Sequence, residues 1–208
     1  MIRSFLISGL LLLFIGLCSC GRIQAPQVAG DKPVADNVLQ QLRTGDIVLR
    51  AGKDEISHFF TRLNQQDHRF SHCGIIVVSD SAIQVAHITA GGKSNSGDLH
   101  YELLSSFVAA AHNTEWTVFR PPLAESQRAA VPRILSRLFA AHIRFDKRFD
   151  LATDNELYCS EMVCKVLRSA GVGDSVFHIS IAGNGKPYIG TDDLYLNNRC
   201  TTICQIIY

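Results

Sequence analysis

The chain has 208 residues and a formal net charge of +1 at pH 7. With 47% hydrophobic and 19% charged residues, it has the composition of a folded protein and not of a disordered chain. The length predicts one domain with a sizeable core, and the near-zero net charge gives no reason to invoke a nucleic-acid partner.

The N-terminus has the pattern of an export signal. A short end containing Arg3 precedes a mostly apolar run from Ser4 to Leu17, which is too short for a membrane span and typical of a signal peptide. The following Leu-Cys-Ser-Cys resembles the lipobox of bacterial lipoproteins, with Cys20 as the lipidated first mature residue. Cys18 fits that role less well, and an ordinary cleaved signal is the alternative. We therefore predict a signal peptide at 1–19 and a lipid anchor that holds the protein at a membrane surface.

Seven cysteines are present, and the predicted signal and lipid anchor account for two of them. Export permits disulfides in the remainder, and an odd number is consistent with one cysteine kept free for chemistry. The spacing places Cys164 in the core, and it leaves Cys200 and Cys204 too far apart to bridge along a strand. The five remaining cysteines are Cys73, Cys159, Cys164, Cys200 and Cys204.

Beyond a polar tether at 20–36, residues 37–208 read as one domain. The pattern of strands accompanied by a few helices predicts an α+β fold. We expect a kink or a restart at Pro132 in one helix, and a Gly, Ser and Asn-rich loop at 91–97. The predicted elements are a helical turn at 38–43, a strand at 47–50, a helix at 57–63, strands at 71–78, 83–88 and 116–120, helices at 125–142 and 159–170, and a strand at 201–207.

Cys159 is the strongest candidate for a nucleophile. It begins a helical apolar pattern in the stretch LYCSEMVCKVL, and a thiol at a helix N-terminus lies in a partial positive charge that lowers its pKa. The free amides of the first turn, including that of Cys159, could also stabilise an oxyanion. The alternative is a buried structural cysteine.

Two histidines precede Cys159 on predicted strands and suit a base and its orienting partner. His72 shares a strand face with Gly74, which we expect to leave room for substrate or for the cysteine helix, while Cys73 faces the other way. His87 follows across one turn, so a hairpin would place the two imidazoles on adjacent strands, where one can accept the Nδ1–H of the other. The alternatives are an exposed strand-end histidine and an ordinary core histidine.

Three weaker candidates for substrate contact are Tyr158, Ser160 and Asp46. Tyr158 and Ser160 flank the predicted nucleophile, and Asp46 either forms a turn or lines the cleft. Glu161 is expected to serve the helix N-terminus.

Four stretches together resemble the YiiX/YaeF-like permuted papain-fold hydrolases, which are relatives of the NlpC-type cell-wall peptidases. The stretches are LRTGDIVL at 42–49, FSHCGIIV at 70–77, FD at 145–146 and YCSEMV at 158–163. The resemblance implies a circularly permuted papain-like α+β fold, in which an antiparallel sheet packs on helices and the histidine precedes the cysteine. It places the base on His72, the nucleophile on Cys159 and the third polar group on His87. That third position is usually Glu in YiiX-like members and often His in NlpC-type relatives, and both residues can accept from the base.

These observations favour an exported, lipid-anchored cysteine amidase or peptidase that needs no metal or cofactor and acts on an amide or peptide substrate. Its envelope location makes a peptidoglycan peptide the leading substrate, and outer-membrane attachment is expected in a cell with two membranes. One alternative is a thiol acyltransferase or lipid-modifying hydrolase of the same fold, and another is a non-catalytic cell-wall binding module. A metal site made from His72, His87 and Cys159 would have only three ligands.

Overall fold

In a computed structural model, the protein is described over residues 34–90 and 98–208. The predicted signal peptide, the lipidation site, most of the tether and the loop at 91–97 lie outside these residues. The elements in chain order are α1 (Asp36–Leu39), β1 (Ile47–Gly52), α2 (Glu55–Thr61), β2 (His72–Val78), β3 (Ile83–Ile88), β4 (Leu99–Leu103), α3 (Leu104–Phe107), β5 (Asn113–Arg120), α4 (Glu125–Ala140), β6 (Arg144–Phe145), β7 (Glu156–Leu157), α5 (Cys159–Ser169), β8 (Ser180–Ile181), β9 (Pro187–Tyr188), a 3-10 helix (Asp192–Leu194) and β10 (Thr201–Ile207).

A six-stranded antiparallel sheet forms the centre of the fold, with the strand order β10-β5-β1-β2-β3-β4. The hairpin of β2 and β3 pairs Ile75 with Ala86, so Gly74 and His87 occupy neighbouring positions on the two strands. Next, β4 pairs His100 with His87 at the sheet edge. The α+β class expected from the sequence is therefore confirmed.

The two faces of the sheet bury different side chains, because residues alternate along each strand. On one face, Cys73 and Ile75 of β2 belong to the same core as Cys159 and Met162 of α5, which we call the α5 face. On the other face, Ile76 packs in a second core with the helix α3, which we call the α3 face. The sheet is thus covered on both sides at β2, the strand that carries the predicted base.

Helix α5 begins and ends close to its predicted limits. Tyr158 precedes it in an extended conformation, and Glu161 accepts a hydrogen bond from the Tyr158 N–H, which supports the first turn. Gly171 follows its end with a φ of +104°, a conformation that glycine adopts without strain. Helix α4 continues through Pro132 as one helix, so the chain does not restart there, and the expected kink stays a prediction.

The sequence patterns located five of the six strands of the sheet but missed the edge strand β4. The predicted strand at 83–88 matches β3, and the final predicted strand matches β10. No element was predicted at β4, which pairs with β3, or at α3, which follows β4 directly. Within the described residues, the helices include none with the length and apolar character that crossing a membrane requires.

Candidate active site

Cys159 is the first residue of α5 and is 6% exposed. Its exposed fraction opens into a cavity of about 270 Å³, which we call the Cys159 cavity. His72 and Arg50 line the same cavity. The fold therefore brings the predicted nucleophile and the predicted base to one solvent-accessible space, although 87 residues separate them in the chain.

The Cys159 thiol has donors around it that favour its charged form. Its pKa is lowered first by a hydrogen bond from the Cys73 side chain and then by the backbone N–H groups of Cys73, Ser160 and Cys159 itself, against the opposing effect of burial. Burial raises the pKa of Cys73 well above its usual value, so Cys73 stays a thiol and can donate. The environment of Cys159 therefore supports a thiolate nucleophile.

The described cysteines contain no disulfide, and all five thiols are free. Cys73 and Cys164 are fully buried, as the core position expected for Cys164 requires. The contact of Cys73 with Cys159 was not predicted, because strand alternation indicated only that Cys73 faces away from His72.

His72, His87 and Glu102 form a row on the α3 face of the sheet. His72 Nε2 lies 2.9 Å from His87 Nδ1, and His87 Nε2 lies 3.1 Å from Glu102 Oε2. The second contact is close but not well aligned for a hydrogen bond. The hairpin therefore places the imidazoles together as expected, and β4 adds a carboxylate behind them.

The row implies one arrangement of protons, which we infer from its charge pattern. A carboxylate accepts only, so His87 presents its Nε2–H to Glu102 and keeps a lone pair on Nδ1. His72 then carries its proton on Nε2 and donates it to His87. This leaves Nδ1 of His72 unprotonated and able to accept a proton from a thiol. In the arrangement predicted from the sequence, an Nδ1–H was the shared proton.

Both histidines are held neutral. Burial lowers the pKa of His72 well below its usual value, and the positive charge of Arg50 lowers it further. Burial also lowers the pKa of His87, although Glu102 acts in the opposite direction. A neutral His72 is a competent base at neutral pH, and a standing imidazolium–thiolate pair is disfavoured.

The nucleophile and the base approach the cavity from different sides of the sheet. Cys159 contacts Cys73 on the α5 face, whereas the ring of His72 packs against Phe107 on the α3 face, with ring centroids 5.6 Å apart. No hydrogen bond joins Cys159 to His72 within the described residues. Because His72 is the first residue of β2, its ring lies at the strand end, where the two faces meet at the cavity.

Gly74 makes room for the hairpin itself and not for substrate or for α5, which corrects the sequence expectation. A Cβ at this position would lie 2.4 Å from Cγ1 of Val85, 2.8 Å from the Ala86 carbonyl and 3.1 Å from the His87 Cβ. The glycine therefore allows β3 to approach and places His87 beside His72.

The side chains of Tyr158 and Ser160 are occupied within the fold. The Tyr158 hydroxyl accepts a hydrogen bond from the Ile189 N–H at 2.8 Å, and Ser160 Oγ donates to the Ile189 carbonyl at 2.7 Å. Neither residue lines the Cys159 cavity, although both border a narrow cleft that also contacts Cys159. A role in substrate contact stays a prediction for this pair.

Asp46 is fully buried at the start of β1 and outside the Cys159 cavity. Its carboxylate accepts from the Arg43 N–H at 2.8 Å and from two nitrogens of Arg120 at 2.8 and 2.7 Å. These contacts hold the turn and tie β1 to β5. They correspond to the turn-forming alternative considered for this residue, and its role in binding substrate also stays a prediction.

Arg50 and Glu102 are site residues that the sequence analysis did not single out. Arg50 pairs with His72 across β1 and β2, donates to the Phe107 carbonyl at 2.9 Å, and lies over the Phe107 ring at 4.4 Å from its centroid. Its positive charge and a Cys159 thiolate attract each other. The available signals were a charge inside a buried strand pattern, IVLRAG, and the alternation of LHYEL.

A metal centre was an alternative for the same residues. Within the residues described here, no three His, Cys, Asp or Glu side chains are grouped so that they could hold a metal ion.

Comparison with known proteins identifies the family. No curated protein matches the chain. A crystal structure of YiiX from Escherichia coli O157:H7, described there as a metalloprotein, shares the fold with a TM-score of 0.64 and 19% sequence identity, over 81% of this chain and 99% of that one. The family described as "Permuted papain-like amidase enzyme, YaeF/YiiX, C92 family" matches residues 41–183. The chain therefore belongs to the permuted papain-like amidases and has the fold of that family.

Proposed function

We propose that this protein is a lipid-anchored cysteine amidase or peptidase of the cell envelope that cleaves an amide bond in cell-wall peptides. One observation carries the catalytic part: Cys159 and His72 line a single cavity, and His72 is backed by His87 and Glu102. A non-catalytic binding module would not need a thiol and a supported histidine in one cavity. The choice of amide hydrolysis as the reaction comes from the family, which is described as amidases.

The reaction follows from the positions of these groups. His72 Nδ1 accepts the thiol proton while the Cys159 sulfur attacks the carbonyl carbon. The N–H groups of Cys159 and Ser160 face the sulfur and stabilise the oxyanion beside it. His72 then gives its proton to the leaving amine. Water, activated by His72, hydrolyses the acyl-enzyme to release the acid and restore the thiol.

The lining of the Cys159 cavity suits a peptide. Asp54 places a carboxylate there, and its hydrogen bonds with Ser57 lower its pKa, so it is ionised at neutral pH. Such a group can receive a substrate amino group. The apolar part of the lining, which includes Phe60 and Phe145, gives the substrate a surface to pack against.

The anchor and the envelope location are supported by the N-terminal sequence. Replacing Cys20 by Ser in the full chain is expected to abolish incorporation of a labelled fatty acid and to release the protein from the membrane fraction. Cys18→Ser is the matched control and keeps the label. Loss of label in Cys18→Ser alone would contradict Cys20 as the anchor.

The catalytic proposal is tested on the full chain in mild detergent. Peptidoglycan fragments are incubated with the wild type, with Cys159→Ala, and with Cys204→Ala, which removes a thiol outside the cavity. We expect mass spectrometry to show new amines and acids from stem peptides, with the rate reduced by at least about 10³ in Cys159→Ala only. Equal turnover in wild type and Cys159→Ala would overturn the role of Cys159.

Acyl transfer to or from a lipid is the second candidate, because α2 carries exposed apolar side chains next to the cavity. Ile56 and Phe59 are 66% and 57% exposed, and Ile56 also lines the Cys159 cavity. Phospholipids and N-acyl amino acids in the same assay decide between the two. Cys159-dependent change of the lipids, without cleavage of stem peptides, would favour acyl transfer.

A further inference from the structure

A second cavity, of about 360 Å³, lies between the end of α2, the chain that follows β6, and the β8–β9 hairpin. Three cationic side chains line it, Arg62, Arg148 and Lys186, and its lining contains no acidic residue. We call it the basic cavity. A concave surface lined by one sign of charge concentrates ligands of the opposite sign.

The cations of the basic cavity are only partly neutralised. Arg148 lies 3.6 Å from Glu156, and Lys186 lies 3.7 Å from Asp150, both near the outer limit of an ion pair. The Arg62 side chain makes no ion pair or hydrogen bond with any residue that the structure describes. The basic cavity therefore keeps positive charge that an anionic ligand could bind.

The basic cavity also contains a polar side chain that is mostly buried. Tyr188 is 8% exposed, and its hydroxyl accepts a hydrogen bond from the Gln65 side chain. Because the hydroxyl accepts from Gln65, its own proton can be donated to an oxygen of a ligand. Guanidinium, ammonium and phenol donors together suit a carboxylate or a phosphate.

A narrow cleft lies between the basic cavity and the Cys159 cavity. It shares Phe60, Ser71 and Cys159 with the Cys159 cavity, and it shares Leu63 and Phe149 with the basic cavity. The cleft holds about 10 Å³, at most the space of one water molecule, so the two cavities are neighbours without an open channel between them. The rings of Phe60 and Phe149, with centroids 6.2 Å apart, border this cleft.

We propose that the basic cavity binds an anionic group of the substrate, a carboxylate or a phosphate, that lies at a distance from the bond attacked by Cys159. This inference rests on the proposed amide hydrolysis and adds the class of substrate to it. The substrate is an extended amide with an acidic end in the basic cavity and its scissile carbonyl at Cys159.

A matched pair of substrates tests the inference on the full chain. The two substrates have the sequence of a peptide that the enzyme hydrolyses, and one ends in a free carboxylate whereas the other ends in a carboxamide. Arg62→Gln is expected to raise KM for the carboxylate form by about tenfold and to leave the carboxamide form unchanged, because only the first loses a charge-assisted contact. Lys186→Gln should add to the effect. Arg133→Gln, which removes an exposed cation of α4, is the control.

The source of the anion is distinguished by competition. Inorganic phosphate and succinate are added to the reaction with the carboxylate substrate, and the better competitor identifies the preferred group. Inhibition by phosphate and inhibition by succinate should both be weaker in Arg62→Gln. If the Arg62→Gln and Arg133→Gln proteins have the same KM for both forms of the substrate, the basic cavity is not a substrate subsite, and the amidase proposal stands without it.

Binding in an inactive protein separates this inference from the proposed function. Titration of Cys159→Ala with phosphate and with succinate by calorimetry requires no turnover. Binding that is lost in the Cys159→Ala, Arg62→Gln double variant supports the anion site even if no amide is cleaved by the wild type. Absence of binding for both anions would overturn the inference.

Discussion

Glu102 lies 3.1 Å from His87 Nε2 at the far end of the row that begins at His72. It is a positioning residue, because it fixes the tautomer of His87 and through it that of His72. In Glu102→Gln the side-chain amide can present either its oxygen or its NH2 group to His87 Nε2, so His87 is no longer held in one tautomer. We expect kcat for amide hydrolysis to fall by about tenfold to a hundredfold with KM unchanged, less than the 10²–10⁴ that general acid–base catalysis supplies in total.

The matched control for Glu102→Gln is Glu125→Gln, since the Glu125 side chain is 88% exposed on α4 and far from the row in the chain. The two variants remove the same charge. A Glu102→Gln protein that keeps the wild-type kcat would show that the carboxylate has no part in orienting the histidines.

The thiol of Cys73 is expected to set the reactivity of Cys159. In Cys73→Ala the largest influence that lowers the pKa of Cys159 is removed, so this pKa should rise toward the usual value of 9.0. A higher pKa leaves less thiolate at pH 7, so alkylation of Cys159 by iodoacetamide should be slower than in the wild type. The rate is measured on the Cys159 peptide by mass spectrometry as a function of pH.

Cys73→Ser is the informative partner in that experiment. A hydroxyl at this position can still donate to the thiolate, so the alkylation profile of Cys159 should stay closer to that of the wild type than in Cys73→Ala. Identical profiles for the wild type and Cys73→Ala would show that the contact between the two sulfurs has no influence.

Gly74→Ala is expected to destabilise the fold by about 1–3 kcal/mol, the usual cost of an extra methyl group in a packed site. The added Cβ would meet the Ala86 carbonyl at 2.8 Å, and backbone cannot yield as a flexible side chain can. Urea unfolding measures the change. Gly173→Ala is the control, since a Cβ there has no neighbour within 4 Å, and equal losses in both variants would contradict the packing argument.

The hairpin and the cysteine helix could be predicted because local sequence determines them. Alternation in β2 and β3 gave the strands, and the apolar period of α5 with Gly171 gave the helix and its end. The edge strand β4 was missed although LHYEL alternates, because the alternation covers only five residues and the partner of the strand is chosen by tertiary pairing.

The candidate site also contains residues that local sequence could predict and partners that it could not. The presence of Cys159, His72 and His87 follows from residue type and position in predicted elements. The partners Cys73, Glu102 and Arg50 depend on which faces of different strands meet, and that is decided by packing between elements distant in the chain. The resemblance to the family supplied the order of the elements, but it could not supply these contacts.

Glu161 gives a pH dependence of stability whose sign can be worked out. Burial raises its pKa from 4.5 to about 7, against the influence of Lys165, 3.0 Å away, and of the Tyr158 N–H. Between these two pH values the folded protein binds more protons at this carboxyl than the unfolded chain does. The contribution of Glu161 to stability is therefore full below pH 4.5 and is lost as the pH rises toward 7.

Glu161→Gln should remove this dependence, because a neutral amide can accept from the Tyr158 N–H at every pH. Relative to the wild type, we expect the variant to gain on the order of 1–3 kcal/mol between pH 4.5 and 8, as measured by urea unfolding. The lowered pKa values of His72 and His87 add stability as the pH rises toward 6.5, where the unfolded histidines lose their protons. This gain is the same in both proteins, so the difference between them reports on Glu161. Glu125→Gln should show no such gain, and a difference between wild type and Glu161→Gln that is constant with pH would mean that Glu161 titrates normally in the folded protein.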